Sequence, residues 1–395
     1  MSSRIILKAR RAAPFFGRHP WVYPGAIERV EGDPADGAVV DLVSSTGVFV
    51  ARGLFNSKSK IRVRLLIWEP ETALDEAFFR RRITAAVRLR RETLGLRGPG
   101  QACRLVFSEA DGLPGLVVDQ YDRWLTVQFT SLGLAQRLDV IVQILQDLVE
   151  PEGVYLRTER GIGSLEGLEL SDRLLRGQLP TEPIAIDDAG LKIHVHLTEG
   201  QKTGYYLDQR DNRPAVARFA RGRRVLDAFC YSGGFGLHAA RAGAASVLGV
   251  DGSEPALTLA RKNAESNGLT NITFAKADVF ETLDALVGKK ETFGAIVLDP
   301  PKFARSGGAV DEALRGYRRL FGQALRALEP GGILVLCCCS GLITRDHLAD
   351  LVAQLSADQK RLIRILETRG AAADHPVAST CPETNYLKCL ICQAE

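Results

Sequence analysis

From about residue 190 onward the chain repeats one pattern: a short apolar run, a turn, then a stretch with helical spacing. Arg224-Val-Leu-Asp227, Val247-Leu-Gly-Val250, Ile272-Thr-Phe274 and Ala295-Ile-Val-Leu298 are such runs. Parallel neighbours in a sheet need a long crossover, so regular β–α alternation predicts a parallel sheet covered by helices. Gly243 is placed to cap the first crossover helix, and Asn267-Gly268 marks the end of the second. Glu329-Pro-Gly-Gly332 introduces a fifth run, Gly332-Ile-Leu-Val-Leu336, which leads into Cys337-Cys338-Cys339 and Ser340-Gly341. Helical spacing over 345–355 and two closing strands complete the domain.

Upstream the pattern differs. The first ~66 residues read as short strands and turns. Val39-Val-Asp-Leu-Val43 and Val48-Phe-Val-Ala-Arg-Gly-Leu54 flank Ser44-Ser-Thr-Gly47, a hairpin signature. Ile61-Arg-Val-Arg-Leu-Leu66 alternates apolar and basic residues, which predicts one buried face and one cationic face. Residues 71–94 have helical spacing with arginines between the apolar positions, and strands and a further helix over 134–148 follow. The expected division is 1–68 as a β-rich module, 69–184 as an α+β middle domain and 185–395 as the β–α domain; a chain of 395 residues has room for all three.

Composition bounds the partners. The formal net charge of +4 is only mildly basic, so it permits a nucleic-acid partner without arguing for one. The local distribution says more. Arg4, Lys8, Arg10, Arg11, Arg18 and His19 crowd the first twenty residues, and Arg80-Arg-Arg82, Arg88, Arg90 and Arg91 form a second cluster, readable as a phosphate-contacting face or a solvated helix face. No apolar stretch approaches the roughly 20 residues that span a membrane, and Pro14-Phe-Phe-Gly17 interrupts any secretory h-region. The eight cysteines are not spaced as a disulfide framework. Cys389-Leu-Ile-Cys392 has CxxC spacing but lacks a second pair, so buried strand cysteines are the expectation, with no metal and a cytoplasmic location.

The chemistry-bearing residues gather at the strand ends. Asp227-Ala-Phe-Cys-Tyr-Ser-Gly-Gly-Phe-Gly236 is a glycine-rich βα turn that would offer helix N–H groups to a ligand, yet it is not the dinucleotide fingerprint. Asp251 ends the second strand, where an acid commonly accepts from ribose hydroxyls; the alternative is a helix N-terminal acid. Asp278 follows the third strand and reads either as an acceptor for an adenine amino group or as an N-cap. Asp299 opens Asp299-Pro-Pro-Lys-Phe303 after the fourth. Four successive acidic strand ends without a pyrophosphate fingerprint point to adenosine recognition, and so to S-adenosylmethionine. The candidate cofactor residues are Asp227, Tyr231, Ser232, Gly233, Gly234, Asp251, Ser253, Asp278, Val279 and Asp299.

Here the motifs become specific. The order Asp227-x-Phe-x-Tyr-Ser-Gly-Gly-Phe, Val250-Asp251-Gly-Ser, Ala277-Asp278-Val-Phe, Leu298-Asp299-Pro-Pro-Lys-Phe303 and Cys339-Ser340-Gly341 resembles the ribosomal RNA large subunit methyltransferase I family. The segment from Gln201 to Arg213 resembles that family's entry into its methyltransferase domain, and Arg18-His-Pro-Trp-Val-Tyr-Pro-Gly-Ala-Ile27 resembles the start of its PUA domain. The resemblance spans nearly the whole chain. It implies a Rossmann-like class I methyltransferase domain with a mostly parallel seven-stranded sheet, preceded by a β-rich PUA-like barrel and a small α+β domain. It further implies S-adenosylmethionine as cofactor, 23S ribosomal RNA as substrate and 5-methylcytosine as product, with a homodimer possible. Lys202, Arg210, Pro300, Lys302, Arg18 and Trp21 are the candidate substrate contacts. Cys337-Cys338 departs from the family pattern, in which small or hydroxylic residues precede a single cysteine.

That product needs a thiol. Cytosine C5 is a poor nucleophile until a thiolate adds at C6, and a free cysteine, with a pKa of about 8.5, needs a lowered value or a local base. Strand alternation sends Cys337 and Cys339 to one face and Cys338 to the other. The Cys-Ser-Gly match favours Cys339 as nucleophile, with Asp299 at the neighbouring strand end. Asp-Pro-Pro followed by an aromatic is characteristic of amino-group methylation, but Lys302 intervenes here before Phe303. Guanine-N7 methylation on the same scaffold, which needs no thiol, and a non-catalytic RNA-binding assembly factor are the competing readings.

Overall fold

The structure, a computed structural model, describes residues 3–159, 161–198, 204–303 and 310–395. The chain divides into two compact units: 1–184 with 196–205 and 373–384, and 185–195 with 206–372 and 385–395. Among the described residues no helix is long and apolar enough to cross a membrane.

In the first unit, β1 (Ser3–Leu7), β2 (Trp21–Val22), β3 (Ile27–Glu31), β4 (Val39–Val43), β5 (Phe49–Phe55) and β6 (Val63–Ile67) form a six-stranded sheet in the order β2-β6-β5-β4-β1-β3. The expected hairpin is β4–β5. Gly47 takes its left-handed position at φ 85°, and the Ser44 hydroxyl accepts from the Thr46 and Val48 amides at 3.3 and 3.1 Å. β6 corrects the sequence reading, because all five of its residues are buried. Arg64 does not line a cationic surface; it pairs with Glu166 at 2.8 Å and lies 3.7 Å from Glu109, so the burial of one charge is compensated by two others.

The same unit holds β7 (Ala102–Phe107), β8 (Leu116–Tyr121), β9 (Trp124–Phe129), β10 (Gly153–Leu156) and β11 (Arg173–Gly177), in the order β11-β10-β9-β8-β7. Helices Glu76–Arg88 and Leu138–Val149 share its apolar core, with Phe78, Ile83, Leu105, Ile141 and Leu145 at its centre. Asp75 caps the first helix, accepting from the Phe78 amide at 2.9 Å. The second arginine cluster divides. Arg90 is fully buried and bonds Asp111 at 2.7 Å and the Arg104 and Asp374 carbonyls at 2.8 Å, whereas Arg81 and Arg88 are exposed.

The second unit carries the β–α alternation. β12 (Ile184–Asp188) and β13 (Leu191–Val195) pair as a hairpin, and β14 (Arg224–Ala228), β15 (Ser246–Asp251), β16 (Ile272–Lys276), β17 (Phe293–Leu298), β18 (Leu328–Cys338), β19 (Ile363–Arg369) and β20 (Lys388–Ala394) form a seven-stranded sheet. Its order is β16-β15-β14-β17-β18-β20-β19; the first five are parallel and β20 runs antiparallel between β18 and β19. Leu226, Ile296, Leu298, Leu334 and Leu336 pack with Tyr317, Phe321 and Leu325 of helix Val310–Arg326. Each such leucine contributes roughly 2 kcal/mol by leaving water. The chain leaves β14 toward β15 on one side and returns to β17 on the other, so a crevice opens at the carboxyl ends of β14 and β17, the usual ligand position in such sheets.

Candidate active site

The loop after β14 is held in an uncommon conformation. Phe229 and Tyr231 have φ of 61° and 49°, and Gly233, capping helix Gly234–Arg241, has φ of 87°. Non-glycine residues in this region cost about 1–2 kcal/mol each, so something must hold them there. Asp251 does: one carboxylate oxygen accepts from the Tyr231 amide and the other from the Ser253 amide, both at 2.9 Å. Asn263 braces the same turn by donating to the Ser232 carbonyl at 3.2 Å. The Ser232 hydroxyl is buried and has no hydrogen-bond partner among the described residues.

Beneath the loop, Asp227 is 1% exposed and accepts from the Gly236 amide at 2.7 Å. Burial pushes its carboxyl up to about 7 against the pull of that amide, with the charges of Asp299 and Asp251 adding to the rise. The site is tight at Gly236: a Cβ there would stand 3.0 Å from the Asp227 carboxylate and 3.1 Å from Ile272, so both side chains would have to shift. Gly234 is buried in the first turn of the helix. Ser253 caps helix Glu254–Ser266 through the Ala256 amide at 3.4 Å. Asp278 is exposed and caps helix Val279–Gly288, accepting from the Glu281 amide at 3.0 Å, while Val279 is buried below it. Of the two readings of Asp278, the cap is realised, and one oxygen remains to accept a further hydrogen bond.

The other half of the crevice lies at β17 and β18. Leu298 and Leu336 are the last partners in the parallel register, so Asp299 follows β17 beside the cysteine run, whose first two members continue β18 against β20. Asp299 accepts from the Gln209 side chain at 3.1 Å. Gln209 in turn accepts from Asn212 at 2.7 Å, and Asn212 accepts from Arg369 at 2.9 Å. The three cysteines occupy three environments. Cys337 is fully buried opposite Cys389, which together with burial raises its thiol well above the ordinary range. Cys338 is fully buried in the core cluster that includes Tyr317. Cys339 alone is partly exposed, with its sulfur 3.9 Å from the Pro300 carbonyl.

Pro300 is buried, and Lys302 is exposed. The Phe303 ring packs on Tyr317 at 4.7 Å and faces Phe280 at 6.4 Å, so it is occupied by the protein's own aromatics. Arg210 is half-buried beside Asp211 at 3.7 Å. Lys202 lies outside the described residues. Arg18 and Trp21 belong to the first unit: Arg18 pairs with Glu69 at 2.8 Å and stacks on Trp68, and the Trp21 indole donates to Glu109 at 2.9 Å.

Sequence reasoning did not single out Tyr206, Gln209, Asn212 or Lys388. Tyr206 meets Tyr231 edge to face at 5.3 Å, and its hydroxyl is raised by burial and then by the charge of Asp299, with Cys339 also contributing. A double tyrosine before an Asp-Gln pair was visible in the chain, but nothing local shows that it folds back to Asp299. Cys389 and Cys392 lie buried in β20. In the first unit His19, Cys381 and Glu383 bring ligand-type atoms within 4.8 Å of one another; His19 contacts Glu383 at 3.4 Å and the Cys381 thiol donates to Glu383 at 3.4 Å.

A strained glycine-bearing turn, acids at successive parallel strand ends and an antiparallel seventh strand define an S-adenosylmethionine-dependent methyltransferase. Residues 172–380 match the family described as S-adenosylmethionine-dependent methyltransferase, and 5–68 match the PUA-like domain family. The chain belongs to the ribosomal RNA large subunit methyltransferase I family. It is 41% identical over 397 residues to the protein of that name from Aeromonas hydrophila, with 100% of both chains covered. With the Photobacterium profundum protein of the same name it shares 39% over 395 residues, covering 99% of both. The crystal structure of SMU.776 complexed with SAH has the same fold, with a TM-score of 0.86 at 21% identity over 100% of both chains.

Proposed function

We propose that this chain forms 5-methylcytosine in 23S ribosomal RNA through a transient bond between Cys339 and C6 of the target base. The observation that carries the reading is the partly exposed Cys339 at the end of β18, its sulfur 3.9 Å from the carbonyl of Pro300 in the Asp-Pro-Pro turn, while its two neighbours are buried. The names of the curated relatives support ribosomal RNA of the large subunit as substrate.

The residues fit S-adenosylmethionine. The turn offers helix N-terminal amides and a Ser232 hydroxyl with no hydrogen-bond partner among the described residues, and the carboxylates at the strand ends are acceptors suited to ribose hydroxyls and an amino group. Asp251 would take the ribose, Asp278 the adenine amino group, and Tyr231, Ser232, Gly233, Gly234, Ser253 and Val279 the walls, above the buried Asp227. When bound, the cofactor supplies an electrophilic methyl group.

Cys339 does the rest. Its thiolate adds to C6, breaking the C5–C6 double bond and placing the electron pair on C5, which takes the methyl. Loss of the C5 proton to a base then restores the double bond as the carbon–sulfur bond breaks and the thiolate returns. Asp299 acts beside it on the base edge, favouring protonation at N3, with Pro300, Lys302 and Arg210 around the target. A base within a duplex has to be flipped out to reach this crevice. The PUA-like module, with Arg18 and Trp21, and Lys202 complete the proposed RNA contacts.

The test is recombinant protein with S-adenosylmethionine and rRNA from cells lacking the gene, followed by nucleoside mass spectrometry. 5-Methylcytidine from the wild type and none from Cys339→Ala is the expected result. N7-methylguanosine from both proteins would replace this reading by methylation on the purine.

A further inference from the structure

Lysine is rarely buried without a carboxylate partner, because moving an ammonium out of water costs several kcal/mol. Lys388, the first residue of β20, is 3% exposed. Its ammonium donates to the Ser340 carbonyl at 2.9 Å and to the Tyr386 carbonyl at 3.2 Å. Among the described residues no carboxylate pairs with it. In the antiparallel register Lys388 stands directly opposite Cys338, one residue from the proposed nucleophile.

We propose that Lys388 is the positioning residue for Cys339: it clamps the Ser340 carbonyl, so fixing where the Cys339 side chain leaves β18, and it sets a buried positive charge beside the forming thiolate. The inference rests on the proposed role of Cys339.

The clamp has a clear geometric purpose. β18 and its ladder with β20 both end at Cys338, and the bond from Lys388 reaches past that end to the Ser340 carbonyl. A bond from Lys388 to Ser340 extends that order by two residues. The Tyr386 end of the support is also tied down, since its hydroxyl donates to Asp208 at 2.6 Å.

The charged surroundings point the same way. Around Lys388 stand Cys338 and Cys339 from β18 and Arg345 from the following helix. Around Cys339 stand Tyr206 and Tyr317, with Asp299 close to Tyr206. A cation beside a cysteine favours its thiolate, so the Lys388 charge acts in the direction that the proposed role of Cys339 needs. Burial holds the Lys388 ammonium below the ordinary lysine range, while charge on the thiols of Cys338 and Cys339 opposes that fall. Ionised Cys339 would therefore hold Lys388 in its charged form.

The experiment uses the full chain carrying Lys388→Met, Lys388→Gln or Lys388→Arg. Iodoacetamide labelling of Cys339 at pH 7, followed by peptide mass spectrometry, reads thiolate content without any methyl transfer. Labelling about tenfold slower in the Met and Gln variants, and partly restored in the Arg variant, is expected. The alkaline shift of the kcat–pH profile should follow, with KM for RNA unchanged. Labelling at the wild-type rate in a variant that still binds S-adenosylmethionine overturns the proposal. So does loss of cofactor binding in both neutral variants, which would assign Lys388 to the fold alone. Failure of the Cys339 reading is separate, and is seen as full methyl transfer by Cys339→Ala.

Discussion

The two halves of the crevice are built by opposite means. On the β14–β15–β16 side the carboxylates stand at or near their strand ends and organise turns: Asp227 under Gly236 and Asp278 on Glu281 hold their own, and Asp251 holds its own Ser253 and also Tyr231 of the neighbouring turn. On the β17–β18 side the partners come from far along the chain: Gln209 donates to Asp299, and Lys388 donates to the carbonyl of Ser340, the residue after Cys339. The first side is a set of βα turns that hold themselves and their immediate neighbours; the second is a convergence of distant segments. A group-transfer enzyme has reason for this split. Cofactor binding needs a rigid surface that neighbouring turns can make, whereas the proposed nucleophile and its charged neighbour need placement that packing against other segments achieves.

This contrast can be broken by substitution, beginning with the largest effect. Cys339→Ala should lower methyl transfer by a factor of at least about 10³ while calorimetry finds S-adenosylmethionine bound as in the wild type. Residual transfer close to the wild-type rate would move the chemistry away from β18 altogether. Asp299→Ala should cost about a hundredfold in single-turnover rate. Gln209→Leu should reproduce a smaller part of that loss, because it removes only the hydrogen bond that aims the carboxylate. If Gln209→Leu were silent, the supporting chain from Arg369 through Asn212 would have no functional weight.

On the cofactor side the expected effects are on affinity. Asp251→Ala removes the two hydrogen bonds that hold the left-handed loop, and should weaken S-adenosylmethionine about tenfold or more by titration calorimetry. Unchanged affinity would mean the turn holds itself. The smallest effect concerns stability. The Asp227 carboxyl titrates near 7 when folded, above its unfolded value, so the unfolded chain loses this proton first as pH rises. Its contribution is therefore fully present below the unfolded value and is lost as pH climbs through about 7. Thermal melting across pH 4 to 7 should fall more steeply for the wild type than for Asp227→Asn, whose amide oxygen can still accept from Gly236. Parallel curves would show that Asp227 is ionised throughout.

The arginines of the first unit show where local reading stops. Arg64 sits in an alternating strand and Arg90 in an arginine-rich helix, and both patterns predict exposure. Both side chains are instead buried, because Glu166 and Asp111, distant in the chain, meet them. Nothing within either segment announces those partners. The cysteine run shows the reverse case. Strand alternation separates Cys338 from its neighbours, and the structure places Cys338 in the core. Alternation cannot distinguish Cys337 from Cys339; the antiparallel strand β20 does so by covering Cys337 with Cys389 and ending its ladder at Cys338.

Periodicity and turn chemistry act within ten or twenty residues, and they were enough to set the β–α domain, the glycine turn and the acids at the strand ends. Those features follow from the geometry of one strand, one turn and one helix at a time. Which thiol stays partly exposed, what aims Asp299 and why a lysine lies buried beside the cysteines were decided by strand order. β20 lies between β18 and β19, and the 206–212 segment returns to β17. Contacts of that kind join residues far apart in the chain, 178 positions in the Tyr386–Asp208 bond, and no local pattern carries them.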